Sequence, residues 1–167
     1  MSQNPGTAPE TLDGTGLHIA VVQARFNSQI TDGLWKACRE TLIANGVHED
    51  DIFHVTVPGA LEIPVALQRL AISGEFDALI ALGAVVKGGT YHFELVCNES
   101  AAGVTRVSLD FGIPVANAVL TTYTETQAVE RIEEKGADAA RVAIEMAGLM
   151  IEMDEHLPSI HVEGEDD

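Results

Sequence analysis

Nine consecutive apolar residues, Ala78 to Val86, run directly into Lys87-Gly88-Gly89-Thr90-Tyr91-His92. A run of that length with no polar alternation has no side that can face water. It predicts a strand covered on both faces, as in a parallel sheet packed between helices. The paired glycine closes the strand, and Phe93 to about Asp110 has helical spacing. Gly88 to His92 therefore falls where a strand ends and a helix begins, the edge of an open α/β sheet at which ligands bind. Two glycines let a backbone approach an anion closely. Thr90 adds a hydroxyl donor, and His92 is a side chain able to move protons near neutral pH.

The rest of the chain repeats the strand-then-helix alternation. Leu17 to Val22 reads as a strand, Ala24 to Asn27 as a loop, and Ser28 or Thr31 as the cap of a helix reaching Asn45 and stopping at Gly46. Ile52 to Val57 is a second strand ended by Pro58-Gly59. Leu61 to Ser73 is a second helix, with Pro64 in its first turn, where a missing N–H is tolerated. Pro114 to Thr121 is the fourth strand. Thr124 to Glu134 and Ala137 to Met153 read as two further helices, separated at Lys135-Gly136. The pattern predicts a doubly wound, flavodoxin-like α/β fold: a three-layer αβα sandwich on a four-stranded parallel sheet. The expected organisation is a flexible N-terminal segment (residues 1–16), one domain (17–153) and an acidic tail (154–167). Four strands leave exposed edges, which favours association with another subunit.

Charge narrows the partners. The net charge of −17 argues against nucleic acid. No segment approaches the roughly 20 apolar residues that span a bilayer. The polar start of the chain lacks the features of a secretory signal, so a cytoplasmic location is expected. Seven acidic residues and no Lys or Arg lie between Glu152 and Asp167, which reads as a solvated end. Cys38 and Cys97 form no CxxC pair, and no two histidines have a metal-ligand spacing, so two buried thiols and no metal are expected.

The loops after the strands carry Arg25-Phe26-Asn27, Pro58 to Glu62, Val86 to His92, and Thr122-Tyr123. An aromatic for stacking, an acid, a glycine-rich anion loop and a histidine suit a planar polar heterocycle plus a phosphate. Each residue also has an ordinary reading. Phe26 could be core, Glu62 a first-turn acid favoured by the helix dipole, and Arg131 the partner of Glu130 or Glu134 on a helix surface. Trp35 and the Met146, Met150, Met153 stripe read as packing. The spacing alone indicates a site without naming a reaction.

Five motifs in order, Ala24 to Asn27, Val57 to Pro64, Gly83 to Phe93, Asn98-Glu99 and Gln127 to Arg131, resemble the lumazine synthase family from Leu17 to about Met150. The resemblance implies condensation of 5-amino-6-(D-ribitylamino)uracil with 3,4-dihydroxy-2-butanone 4-phosphate in riboflavin biosynthesis, without metal or organic cofactor. It assigns Phe26 to stacking on the pyrimidine and Ala60, Leu61 and Glu62 to the ribityl chain and ring edge. Ala84, Val85 and Val86 would offer backbone groups to the uracil. Gly89, Thr90 and Arg131 would bind phosphate, and His92 would transfer protons. Asn117, at the pyrimidine, and Arg131 would come from the neighbouring subunit of a homopentamer or a multiple of pentamers, and Lys135 would lie near the ribityl and phosphate groups. Asn117, Tyr91 and Lys87 stand where members commonly carry an aromatic, a proline and an arginine. Two other readings of the scaffold are an archaeal-type riboflavin synthase and a non-catalytic flavin or lumazine carrier.

Overall fold

The computed structural model describes residue 9 and residues 11–158. Four strands, β1 (Ile19–Ala24), β2 (Ile52–Val57), β3 (Ala78–Val86) and β4 (Val115–Thr122), form one sheet in the order β2-β1-β3-β4. Every pairing is parallel, with Ile19 opposite both Ile52 and Ala78, and Leu79 opposite Val115. Five helices connect and flank the strands: α1 (Ser28–Ala44), α2 (Ile63–Ser73), α3 (His92–Phe111), α4 (Glu125–Val129) and α5 (Ile132–His156). Single 3₁₀ turns precede β2 (Glu49–Asp51) and α2 (Ala60–Glu62).

Strand periodicity sorts the core into two halves. Ile19 and Val21 of β1, with Ile80, Leu82 and Ala84 of β3, pack under α1 and α5. Ala20, Val22 and Ala24, with Leu79 and Ala81, pack under α2 and α3. The result is the three-layer α/β sandwich that the apolar run requires. The order in which strands are added reverses between β1 and β3, with β2 laid down on one side of β1 and β3 then β4 on the other, so the loops leaving these neighbouring parallel strands diverge and open a crevice between them.

Close packing on the first face depends on small residues. Gly136, Ala139, Ala140, Ala143 and Ala147 form the buried side of α5. A Cβ on Gly136 would stand 2.6 Å from the Leu34 carbonyl oxygen and 2.9 Å from Ala37 Cβ on α1.

Several boundaries differ from the sequence reading. Lys135-Gly136 does not separate two helices. The chain breaks at Glu130-Arg131, and α5 runs through Gly136 because that glycine serves helix–helix contact. A capping box opens α4, with Thr124 accepting from the Gln127 N–H and the Gln127 side chain returning to the Thr124 N–H. The first strand begins at Ile19 and continues past Val22. Gln23 remains buried within it because its amide is satisfied: Nε2 donates to Asp32 Oδ1 (2.7 Å), and Oε1 pairs with His54 Nε2 (2.8 Å). His54 in turn stacks on Trp35, with ring centroids 3.9 Å apart. Burial holds the His54 pKa below the ordinary histidine value, against a smaller opposing effect of Asp32. The N-cap of α1 is Asn27, not Ser28 or Thr31.

Cys38 is buried, whereas Cys97 is only half-buried. Of the N-terminal segment, Leu12 packs against the core and the Gly14 N–H donates to the Asn45 carbonyl at 2.7 Å. Residues 1–8 and 10, and 159–167 of the acidic tail, lie outside the described residues. Among the described residues, no helix is long and apolar enough to cross a membrane.

Candidate active site

The crevice at the carboxyl edge of the sheet holds a cavity of about 530 Å³. Three strand ends build it. Ala24 ends β1 and Phe26 follows it, and Pro58, Gly59 and the 3₁₀ turn Ala60-Leu61-Glu62 follow β2. Ala84, Val85, Val86, Gly88, Thr90, His92, Phe93 and Val96 come from the end of β3, the loop after it and the first turns of α3.

Nine residues named from sequence thus meet at one cavity: Phe26, Ala60, Leu61, Glu62, Ala84, Val85, Val86, Thr90 and His92. Gly89 lies between Gly88 and Thr90 in the same loop. Neither glycine has positive φ, and a Cβ on either would meet nothing within 4 Å. Left-handed backbone is therefore not why they are needed here. What they provide is open space over the main chain.

Three named residues lie elsewhere in the chain's own surface. Asn117 is exposed on edge strand β4, its Oδ1 accepting from the Val119 N–H at 2.9 Å. Arg131 is exposed just before α5, with Nη1 donating to the Gln127 carbonyl at 2.8 Å. Lys135 Nζ is 3.9 Å from Asp138 Oδ2.

The cavity is largely apolar, with few polar groups aimed at it, the usual character of a small-molecule site. Glu62 and His92 are the ionisable side chains in its lining, which includes no lysine or arginine. Positive potential comes instead from main chain. The 20-residue α3 starts at His92 with no side-chain cap on its free N–H groups. At the rim, Lys87 Nζ sits 5.4 Å from the centre of the Tyr123 ring, which leans against Phe93.

Sequence reasoning assigned no role to Pro58, Phe93 or Asn27, although all three shape the site. The Pro58 carbonyl accepts from the Phe26 N–H at 3.0 Å, and the Val57 carbonyl from the Arg25 N–H at 2.8 Å. Asn27 Nδ2 donates to the Ala84 carbonyl at 2.8 Å. An asparagine directly before a helix was the available signal, since Asn is among the residues that best tolerate left-handed backbone.

A family model described as 6,7-dimethyl-8-ribityllumazine synthase matches residues 16–151. Proteins carrying that name are similar over most of the chain. One from Paraburkholderia phytofirmans is 62% identical over 150 residues, covering 90% of this chain and 89% of its own. One from Paracidovorax citrulli is 64% identical over 148 residues, covering 89% and 96%. One from Burkholderia multivorans is 60% identical over 150 residues, covering 90% and 87%. The matched span contains all four strands and every cavity residue, and the chain belongs to the 6,7-dimethyl-8-ribityllumazine synthase family.

Proposed function

We propose that this chain is the transferase that condenses 5-amino-6-(D-ribitylamino)uracil with 3,4-dihydroxy-2-butanone 4-phosphate, supplying a lumazine to riboflavin biosynthesis. The observation that carries this reading is the convergence of Phe26, Ala60 to Glu62, Ala84 to Val86 and Gly88 to His92 on one cavity in a member of this family. In the scheme, the pyrimidine amine attacks the butanone carbonyl, and loss of water gives an imine. Phosphate then leaves by elimination. Ring closure and a second dehydration complete the product.

Each step needs a proton delivered or removed, and His92 at the cavity wall is suited to that work, with a contribution of roughly 10²–10⁴-fold. Most of the remaining acceleration comes from holding two small molecules in register. Phe26 stacks on the pyrimidine, and Glu62 accepts hydrogen bonds from the ribityl hydroxyls beside Ala60 and Leu61. Main-chain groups of Ala84, Val85 and Val86 meet the uracil edge. Gly89, Thr90 and the start of α3 hold the phosphate.

The cavity lining has no lysine or arginine of its own. That supports a site completed by a neighbouring subunit, with Arg131 on the phosphate and Asn117 and Lys135 on the pyrimidine and ribityl groups. Such sharing fits a homopentamer or a multiple of pentamers, and we assign the enzyme to the cytoplasm. The relatives' printed names favour the synthase over an archaeal-type riboflavin synthase or a carrier. Mixing both substrates with the protein should give lumazine absorbance together with release of inorganic phosphate. Absence of both signals from folded protein refutes the reading.

A further inference from the structure

Phe26 is 71% exposed, so packing against the described residues does little to hold its ring. It forms a wall between the main cavity and a shallower recess of about 380 Å³ lined by Arg25 to Ile30 and Glu125. Where that ring stands is therefore decided by the main chain that carries it. Two hydrogen bonds tie this loop to the end of β2: Arg25 N–H to the Val57 carbonyl, and Phe26 N–H to the Pro58 carbonyl. The tie to β3, on the opposite side of β1, is Asn27 Nδ2 to the Ala84 carbonyl at 2.8 Å.

Asn27 forgoes two favourable options to make that bond. It is the one non-glycine residue with positive φ among the described residues, at φ 60 and ψ 49. It also stands at the N-cap of α1, where an asparagine side chain ordinarily accepts from the N–H groups of the first turn. Here no such side-chain bond forms, and the Asn27 carbonyl alone receives the Ile30 and Thr31 N–H groups. Backbone strain combined with a diverted cap, at the wall of a cavity, is the pattern of local stability given up for site geometry.

We infer that Asn27 is a positioning residue for the pyrimidine half of the site: its amide locks the slot between the Phe26 ring and the Ala84–Val86 edge. The inference rests on the proposed reaction and adds to it what holds the stacking ring in place. It also predicts an asymmetry, because the phosphate loop Gly88 to Thr90 is not tied to Asn27.

The test uses Asn27→Gly, which accepts positive φ and lacks the amide, and Asn27→Asp, which keeps size but has no donor for a carbonyl. Loss of one hydrogen bond's worth of positioning should raise the pyrimidine KM about tenfold in both, with the butanone-phosphate KM changed less than about twofold. The melting temperature of Asn27→Gly should not fall. Equal changes in both KM values, or an unchanged pyrimidine KM, overturn the inference. A wild-type protein that forms no lumazine refutes the proposed reaction instead. Hydrogen–deuterium exchange of residues 24–28 then decides the positioning role: faster exchange at the Phe26 amide in Asn27→Gly upholds it, and unchanged exchange overturns it.

Discussion

Alanine at Gly136 and alanine at Gly148 are the same chemical change on the same helix, and they should move stability in opposite directions. Both glycines lie inside α5, where replacement by alanine gains about 0.8–1 kcal/mol of helix propensity. At Gly148 nothing lies within 4 Å of the new Cβ, so that gain should appear almost undiminished. At Gly136 the Cβ meets the Leu34 carbonyl oxygen at 2.6 Å and Leu34 Cα at 3.2 Å, both main-chain atoms, with Ala37 Cβ at 2.9 Å. Main chain cannot rotate aside as a side-chain tip can, so α1 and α5 must separate. Overpacking of that kind costs roughly 1–3 kcal/mol and outweighs the propensity term. The net expectation is a loss of about 1–2 kcal/mol for Gly136→Ala and a gain of about 0.5–1 kcal/mol for Gly148→Ala. In a chain of this size, melting temperatures shift by about 2–4 °C per kcal/mol. Thermal unfolding followed by circular dichroism, at one fixed protein concentration, reads both. Gly136→Ala melting at or above wild type would refute the argument from close helix approach.

His92→Ala should slow turnover by about 10²–10⁴-fold with both KM values little changed, and undiminished turnover removes the proton-transfer role. Arg131→Ala should raise the butanone-phosphate KM far more than the pyrimidine KM. If Arg131 serves a neighbour, refolding Phe26→Ala and Arg131→Ala proteins together should restore part of the activity, and analytical ultracentrifugation should find no fully active monomer. His54 has a lowered pKa when folded, so the unfolded chain binds the extra proton more readily. Its contribution to stability is therefore present above the ordinary histidine pKa of about 6.5 and is lost as pH falls below it. Denaturant titrations at pH 7.5 and 5.5 should differ less in His54→Phe than in wild type, and equal differences count against the buried-histidine argument. Burial pushes the Cys38 thiol up to about 12, so a thiol reagent at about pH 8 should leave Cys38 unmodified until the protein unfolds.

The sheet was legible where burial is written as an unbroken apolar run. Ala78 to Val86 is one long hydrophobic word, and its strand bounds follow from that alone. The order β2-β1-β3-β4 was not legible, because no residue pattern states which strands are neighbours. Gly136 reads in sequence as a helix breaker, and only the presence of α1 beside it reveals a packing residue. The sequence reading ends the first strand at Val22, whereas Gln23 extends β1 because Asp32 and His54 supply partners for its buried amide. The cavity-facing candidates share one physical signature: they follow the ends of successive parallel strands, so a correct strand reading already gathers them on one edge. Asn117, Arg131 and Lys135 have no such signature, and resemblance alone brought them forward. Asn27 was passed over because its role lies in a torsion angle and a bond to Ala84, fifty-seven positions along the chain.

The alanine face of α5 has a reach beyond its own layer. Gly136 lets α5 approach the main chain of α1 at Leu34, and the buried Ala139, Ala140, Ala143 and Ala147 continue the same small-residue face. The N-cap of α1 is Asn27, and the residue before it is Phe26. A substitution that shifts α1 on the back of the sheet should therefore also move the slot on its carboxyl edge. Selection for tighter or altered heterocycle binding can thus act through alanines that never meet a ligand. Chains that diverge at these back-layer positions should differ in pyrimidine affinity even where every cavity residue is the same.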